Sequence, residues 1–356
     1  MKKINIGVIG LGNMGYLHLM SCLHMNDVNV IAASDKSKNA LKKAENLGVK
    51  NVYDDYQYLI NKQSKELDAV VISLPNFLHF DSIQQSLEAG LDVFIEKPLT
   101  ISVDESKKIS RLVEKSGKKL MPGHCMRFVP AIEKMKKTAD EGKLGNLEII
   151  TLESIQNGPL SHGLVPKPIP EWWFDPKRSG GGALIDLGYH LIDLFRFFAG
   201  DADVEFSCLD YKYNLPVEDG ATVILNSKKF STRGVINVGW FEKTIFPKFN
   251  FRTILHGDAD FISTDQLFPK NLYIHAIEEG AKNFIRRVTG RKIHPLSYTY
   301  YYECHFKELR YFFNCINNDT NPSISVIDGL RTVEILEEAY KFSQRDSSAH
   351  THLRLH

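Results

Sequence analysis

Six residues near the amino terminus, Gly10-Leu11-Gly12-Asn13-Met14-Gly15, constrain this chain more than any other segment. The GxGxxG spacing follows a near-continuous apolar run at 4–9 and opens a helical pattern at 13–26. The chain must therefore pass from a buried strand through a tight turn directly into a helix. Gly10 permits the turn, Gly12 lets a ligand approach the backbone, and Gly15 allows close packing of helix on strand. The helix start, with Asn13 and Met14 in its first turn, offers unpaired amides and partial positive charge to a pyrophosphate. Twenty residues past Gly15, Asp35 ends a second apolar run, where a carboxylate accepts hydrogen bonds from ribose hydroxyls. Asp35 would repel a 2′-phosphate, so NAD is the expected dinucleotide. Lys36 and Lys38 beside it keep NADP as an alternative.

The alternation continues through the first third of the chain. Apolar runs at 28–34, 52–53, 68–73, 93–95 and 119–121 are separated by helical patterns at 37–47, 56–61, 77–89 and 102–117. Gly48, Gly90 and Gly117 stop three of these helices, and Ser102 with Glu105 makes a capping box at the start of another. Strands and helices alternating through short loops give a parallel sheet covered on both faces, so residues 1–124 are expected to form an α/β Rossmann domain. After His124 the order changes. A helix at 128–140, a strand at 147–155, a Pro-rich loop at 158–170 and an apolar helix at 183–198 lead into strand-like runs at 203–211, 220–227, 232–241 and 249–256. Helices near 273–288, 302–317 and 326–343 follow. Consecutive strands need hairpins, so residues 125–346 are expected to form an α+β domain with a large, mostly antiparallel open sheet. The polar segment 347–356 lacks periodicity and is expected to be a disordered tail.

An open parallel sheet places its ligand beyond the carboxyl ends of its strands. Three further segments fall where such a site would be completed: Ser73-Leu74-Pro75-Asn76-Phe77-Leu78-His79, Glu96-Lys97-Pro98, and the run from Gly181 through Asp186 and Gly188 to His190. Together with Gly123-His124-x-x-Arg127-Phe128 and the Gly-rich turn, in this order, they resemble the Gfo/Idh/MocA family, the glucose–fructose oxidoreductase and inositol dehydrogenase group. The resemblance spans roughly residues 4–200. It implies a Rossmann domain followed by a sheet domain whose open face carries the substrate and the contact of a homo-oligomer, a dimer or tetramer. It also implies an NAD(P)-dependent oxidoreductase whose substrate is a sugar, a sugar derivative or a cyclitol. Residue by residue, Lys97 and His190 match the family's catalytic lysine and histidine, and Asp186 its substrate-orienting acid. Asn76, His79 and Glu96 match positions at the nicotinamide end, with Leu74 and Pro75 in the same loop. Arg127 falls in a segment that contributes to the substrate cleft, and Asn157 ends a strand that the resemblance sets along it.

The residue types suit those roles. Oxidation of a secondary alcohol needs a base for the hydroxyl proton, and an imidazole near its intrinsic pKa of about 6.5 is suited to it. A lysine ammonium polarises the oxygen as it becomes carbonyl. Asp186 and His190, four residues apart, share one helix face, Asp193 follows a turn later, and Leu184, Leu187, Leu191, Leu194 and Phe198 make the opposite, buried stripe. Competing readings exist for the less constrained residues. Arg127 would equally serve as a bridge between domains. Trp172 and Trp173 are read as packing ahead of an aromatic wall for a sugar, and the run Tyr298, Tyr300, Tyr301, Tyr302 as core or oligomer surface. Two further functional readings share these residues. One is a nucleotide-linked sugar as substrate, with the Lys- and Arg-rich 260–302 segment serving its diphosphate. The other is a dinucleotide-binding sensor or regulator that does no chemistry.

A formal net charge of +1 provides no field for nucleic acid or an anionic membrane surface, and neither is expected as a partner. No run approaches the roughly 18 apolar residues of a membrane span, and the start of the chain does not read as a signal peptide. Cys22, Cys125, Cys208, Cys304 and Cys315 are dispersed, with no CxxC pair. That pattern suggests reduced thiols in the cytoplasm and no metal site.

Overall fold

The computed structural model describes residues 3–160, 170–241, 251–268, 272–294, 296–297 and 299–353. The chain divides into two compact units. Met1–Thr100, Asp104–Val129 and Pro269–Gly329 form the first, and Ile101–Val103, Pro130–Phe268 and Leu330–His356 the second.

In the first unit β1 (Ile4–Ile9), β2 (Val28–Ser34), β3 (Asn51–Tyr53), β4 (Ala69–Ile72), β5 (Asp92–Ile95) and β6 (Leu120–Pro122) make a six-stranded sheet in the order β3-β2-β1-β4-β5-β6. Every pairing is parallel, as the lack of apolar alternation in β4 and β5 requires: all eight of their residues are buried. The order reverses between β1 and β4, which is where such a sheet opens its ligand crevice.

Pro269–Gly329 belongs to this unit, although the linear reading assigns it to the second domain. The cause is packing. Helix Tyr300–Asn317 lies against helix Asn13–Leu23, and Leu309, Phe312, Phe313 and Ile324 join Ile4, Ile6, Val8, Leu19 and Phe94 in one core. Tyr302 is buried in that unit, whereas Tyr298 lies outside the described residues.

The second unit is built on β7 (Leu147–Ile155), β8 (Ala202–Asp210), β9 (Gly220–Ser227), β10 (Arg233–Gly239), β11 (Phe251–Gly257) and β12 (Phe261–Ser263), ordered β12-β11-β7-β10-β9-β8. The sheet is mixed and mostly antiparallel: β7 and β10 pair parallel, and the remaining neighbours antiparallel. Helix Tyr189–Ala199 covers one face. Gly234 is needed there, because a Cβ on it would meet the Phe195 ring at 2.6 Å. The last helix runs Val326–Leu353, so most of the segment expected to be a disordered tail continues a helix already nucleated upstream. No helix among the described residues is long and apolar enough to cross a membrane.

Candidate active site

The carboxyl ends of the parallel strands are in register, and each hands the chain to a candidate segment. Gly10 N donates to Ser34 O at 2.8 Å, Ser73 N to Ile9 O at 2.7 Å, Glu96 N to Ile72 O at 2.9 Å and Gly123 N to Ile95 O at 2.7 Å. The Gly-rich turn, the Leu74–Asn76 loop and the Glu96-Lys97-Pro98 loop thus leave neighbouring strands at one edge.

Within the turn the three glycines answer to different constraints. Gly10 has a φ of 84°, and a Cβ on it would lie 2.5 Å from Ser73 O. A Cβ on Gly15 would lie 1.8 Å from Gly10 O. A Cβ on Gly12 would meet nothing within 4 Å. Packing therefore demands Gly10 and Gly15, while Gly12 faces open space. Gly12 and Asn13 are exposed, Met14 is half-buried, and no side chain caps the helix that follows. Free amides beside an open glycine fit a pyrophosphate. Asp35 stands next to this seat: its Oδ2 accepts from Leu11 N at 2.6 Å and its Oδ1 from Ser37 N at 2.7 Å. Each oxygen keeps a further lone pair for a ribose hydroxyl.

The other candidates of this unit separate into exposed and buried groups. Leu74, Pro75 and Asn76 are half-buried. Lys97 is the one residue of 91–100 that is not buried. His79 is fully buried and points inward, with Nδ1 2.7 Å from the Pro98 carbonyl and Nε2 2.9 Å from the Leu74 carbonyl. It ties the two loops together. Burial pushes its pKa down, against the pull of both carbonyls. Glu96 is also turned inward: Oε1 lies 2.6 Å from His18 Nε2, and Oε2 accepts from Lys97 N at 3.1 Å. Burial opposes the Glu96 charge, but the His18 hydrogen bond and the fields of His305 and Lys97 outweigh it and hold the carboxyl at about 2. Arg127 is paired with Asp328 of the same unit at 3.2 Å.

In the second unit Asp186 and His190 are the two residues of 181–195 that are not buried. The segment is not one continuous α-helix, as its periodicity suggests. Leu184–Gly188 is a π-helical turn and Tyr189–Ala199 the α-helix. A wide turn of this kind is characteristic of functional sites. The expected apolar stripe of Leu184, Leu187, Leu191, Leu194 and Phe198 is buried, and so is Asp193. The glycines ahead of it are held by Glu218, whose Oε1 accepts from Gly182 N at 2.8 Å, Leu184 N at 3.0 Å and Tyr340 Oη at 2.7 Å.

Asp186 Oδ2 accepts from Trp240 Nε1 at 3.2 Å. Trp173 meets Trp240 edge-on at 6.4 Å, and Trp172 stacks on Trp173 at 5.0 Å. Trp172 and Trp173, read from sequence as packing, are half-buried and continue an aromatic cluster that begins at Asp186. Gly158 backs onto the Trp240 ring, where a Cβ would lie 2.2 Å away, and the preceding Asn157 is buried.

Residues 4–124 match the family described as "Oxidoreductase family, NAD-binding Rossmann fold", and residues 132–260 match the "GFO/IDH/MocA C-terminal domain". The chain belongs to the Gfo/Idh/MocA family. Among its relatives, scyllo-inositol 2-dehydrogenase (NAD(+)) of Bacillus subtilis is 24% identical over 351 residues, covering 94% of this chain and 92% of the relative. Inositol 2-dehydrogenase of Rhizobium meliloti is 23% identical over 356 residues, covering 95% and 96%. Solved structures share the fold. GenD2 from gentamicin A biosynthesis, in complex with NAD, has a TM-score of 0.78 at 18% identity, covering 97% of this chain and 95% of that one. Scyllo-inositol dehydrogenase from Lactobacillus casei, with NAD(H) and scyllo-inositol, has a TM-score of 0.76 at 19% identity, covering 97% and 98%.

As a Gfo/Idh/MocA protein the chain is an NAD-dependent oxidoreductase, and its exposed glycine turn fits the dinucleotide that the family binds. Three residues of the neighbourhood escape sequence reasoning: His18, Trp240 and Glu218. His18 lies on the buried face of the helix after the turn, where a histidine attracts no notice until its partner is known. Trp240 and Glu218 reach their partners, Asp186 and the glycine run, from other strands of the sheet and its loops.

Proposed function

We propose that this protein transfers a hydride between NAD and a secondary alcohol or ketone carbon of a cyclitol, a sugar or a sugar derivative. The observation that carries the reading is selective exposure: Lys97 in one segment, and Asp186 with His190 in another, are the unburied polar groups of otherwise buried chain. NAD, when bound, accepts or returns the hydride. Gly10, Gly12, Asn13, Met14 and Gly15 hold its pyrophosphate, Asp35 the ribose hydroxyls, and Leu74, Pro75 and Asn76 the nicotinamide side. Glu96 and His79 act behind that surface by fixing the loops.

His190 takes the hydroxyl proton on oxidation and gives it back on reduction. The Lys97 ammonium stabilises the oxygen as its negative charge grows. Asp186, oriented by the Trp240 indole, accepts a substrate hydroxyl, and Trp173 and Trp172 offer the C–H face of a ring an aromatic surface. Asn157 supplies a further polar contact. Arg127 contributes through its pair with Asp328. Basic residues of the 260–302 segment are less suited to a substrate diphosphate, since Lys282 and Arg286 both pair with Glu279.

The test is cofactor reduction, followed by near-ultraviolet absorbance, with NAD and a panel of inositols, aldoses and glycosides. Turnover of at least one class is expected. Tight NAD binding without turnover of any would favour the sensor over the enzyme.

We also propose a homo-oligomer formed through the open face of the second sheet. Ile254, Thr151, Val235 and Ile224 stand side by side across four strands and are half-buried, a row apolar but for its threonine and suited to a second copy. Light scattering on the purified chain would refute this if it gave the mass of one chain at all concentrations.

A further inference from the structure

We propose that Cys125, Cys304 and His305 form a binding site for one zinc-class metal ion, held by two thiolates and an imidazole. The three donor atoms lie within 4.8 Å of one another. Cys125 comes from the turn Cys125–Phe128 after β6, and Cys304 and His305 from helix Tyr300–Asn317, all within the first unit. A tetrahedral zinc ion with sulfur at about 2.3 Å and nitrogen at about 2.0 Å sets its donors about 3.5–3.8 Å apart, so closing on an ion asks each pair to approach by at most about 1.3 Å.

The chemistry of the donor set favours this class of ion. Two thiolates neutralise a divalent charge, and a neutral imidazole completes a site that remains uncharged inside the protein. Cys304 and His305 are 2% and 6% exposed, and Cys125 is half-buried.

A second observation points the same way. Glu308 is fully buried, and neither of its carboxylate oxygens finds a hydrogen-bond partner of good geometry among the described residues. One of them lies 3.7 Å from His305 Nδ1. A carboxylate behind an imidazole is the arrangement that orients a metal-binding histidine and strengthens it as a donor. His305 also belongs to a second group, with His18 and Glu96, but those two already satisfy each other at 2.6 Å. Spacing along the chain gives no hint of the site, because the donors come from distant segments.

Loading is written Zn²⁺ + 2 R–SH + His → Zn(SR)₂(His) + 2 H⁺, with no change of oxidation state. The ion would fasten the Cys125–Phe128 turn to the Tyr300–Asn317 helix.

The test uses the full-length, untagged, reduced and chelator-treated protein, titrated with Co²⁺ as a spectroscopic probe and then with Zn²⁺. One equivalent of Co²⁺ should bind with a thiolate-to-cobalt charge-transfer band that Zn²⁺ abolishes. Cys125→Ser and Cys304→Ser should each weaken that band and lower affinity about 100-fold or more, and Glu308→Gln about 10- to 100-fold. Cys208→Ser should leave both unchanged. Circular dichroism of each variant separates loss of the site from loss of fold. Absence of the band from the wild-type protein overturns the proposal whatever the variants do. So does binding that survives Cys125→Ser but is lost when His350, His352 and His356 are replaced by alanine, or a Cys125–Cys304 disulfide in the protein as purified that excludes metal.

Discussion

Glu96 and His18 join across 2.6 Å, tying the loop that carries Lys97 to the helix that follows the Gly-rich turn. The second oxygen of Glu96 accepts from the backbone amide of Lys97 itself. A displacement of the helix is therefore felt at the lysine through one carboxylate.

The pair has a pH signature. The Glu96 carboxyl titrates at about 2 when folded, below its ordinary value of 4.5. A depressed pKa contributes stability that is present above the unfolded value and is lost as pH falls through the folded one. Glu96→Gln keeps the shape but not the charge, and should cost about 1.5–3 kcal/mol near neutrality. The gap in urea midpoint between wild type and this variant should narrow from pH 4.5 towards pH 2. A gap that stays constant across that window would show that the carboxylate charge is not stabilising.

Gly12 and Gly15 look alike in the motif, yet their surroundings differ. Gly12→Ala places a methyl in open space, so stability should stay within about 0.5 kcal/mol of wild type. NAD affinity should nevertheless fall at least about tenfold, because that space is the proposed phosphate seat. Gly15→Ala drives a methyl onto the Gly10 carbonyl and should cost at least about 2 kcal/mol, with loss of binding following loss of fold. Thermal unfolding beside calorimetric NAD titration separates the two. Equal losses of stability would mean that Gly12 is structural as well.

What could be read in advance was whatever is local. The turn, the parallel sheet and the helix caps follow from spacing within a few residues, and so does the placement of Asp35. The Leu184–Gly188 turn was not readable, since five residues hold too little periodicity to separate a π turn from an α turn. Helix Tyr300–Asn317 was recognisable as a helix, but its return to the first unit depends on core contacts with residues from the other end of the chain. Glu96 illustrates the same limit within the candidate site. Its position beside Lys97 suggests a role at the ligand, but its burial and its bond to His18 depend on a helix far away in sequence.

Asp35 has two tasks that substitution can separate. It holds the Gly-rich turn through Leu11 N and, in the proposed function, presents lone pairs to a ribose. Asp35→Ala should weaken NAD about 10- to 100-fold while changing NADP affinity much less, because a 2′-phosphate no longer meets a carboxylate. The informative quantity is the ratio of the two dissociation constants. An unchanged ratio would mean that the ribose is read by another group.

Lys97→Ala and His190→Gln probe the proposed chemistry directly. Loss of the ammonium should lower kcat about 10²- to 10³-fold, and loss of the imidazole about 10²- to 10⁴-fold. NAD affinity should remain within a few-fold of wild type in both. Stopped-flow measurement of the hydride step is the appropriate readout, since product release can conceal a chemical defect. A fully active variant at either position removes that residue from the mechanism.

In the proposed function Trp240 acts through Asp186. Its indole Nε1–H is 3.2 Å from the carboxylate, and its ring is buried against Trp173 and Gly158. Trp240→Phe retains most of the apolar bulk and deletes the donor, so the fold should survive while Asp186 loses its fixed orientation. A carboxylate that must be reoriented in each cycle binds substrate less well at every stage of the reaction. The expected result is therefore a rise in KM of about tenfold with a smaller change in kcat, the value of one hydrogen bond to a charged group. Asp186→Asn in the Trp240→Phe background should then add less than it does in the wild type, because the two residues work as one unit. Additive losses in that double-mutant cycle would mean that the indole and the carboxylate serve the substrate separately.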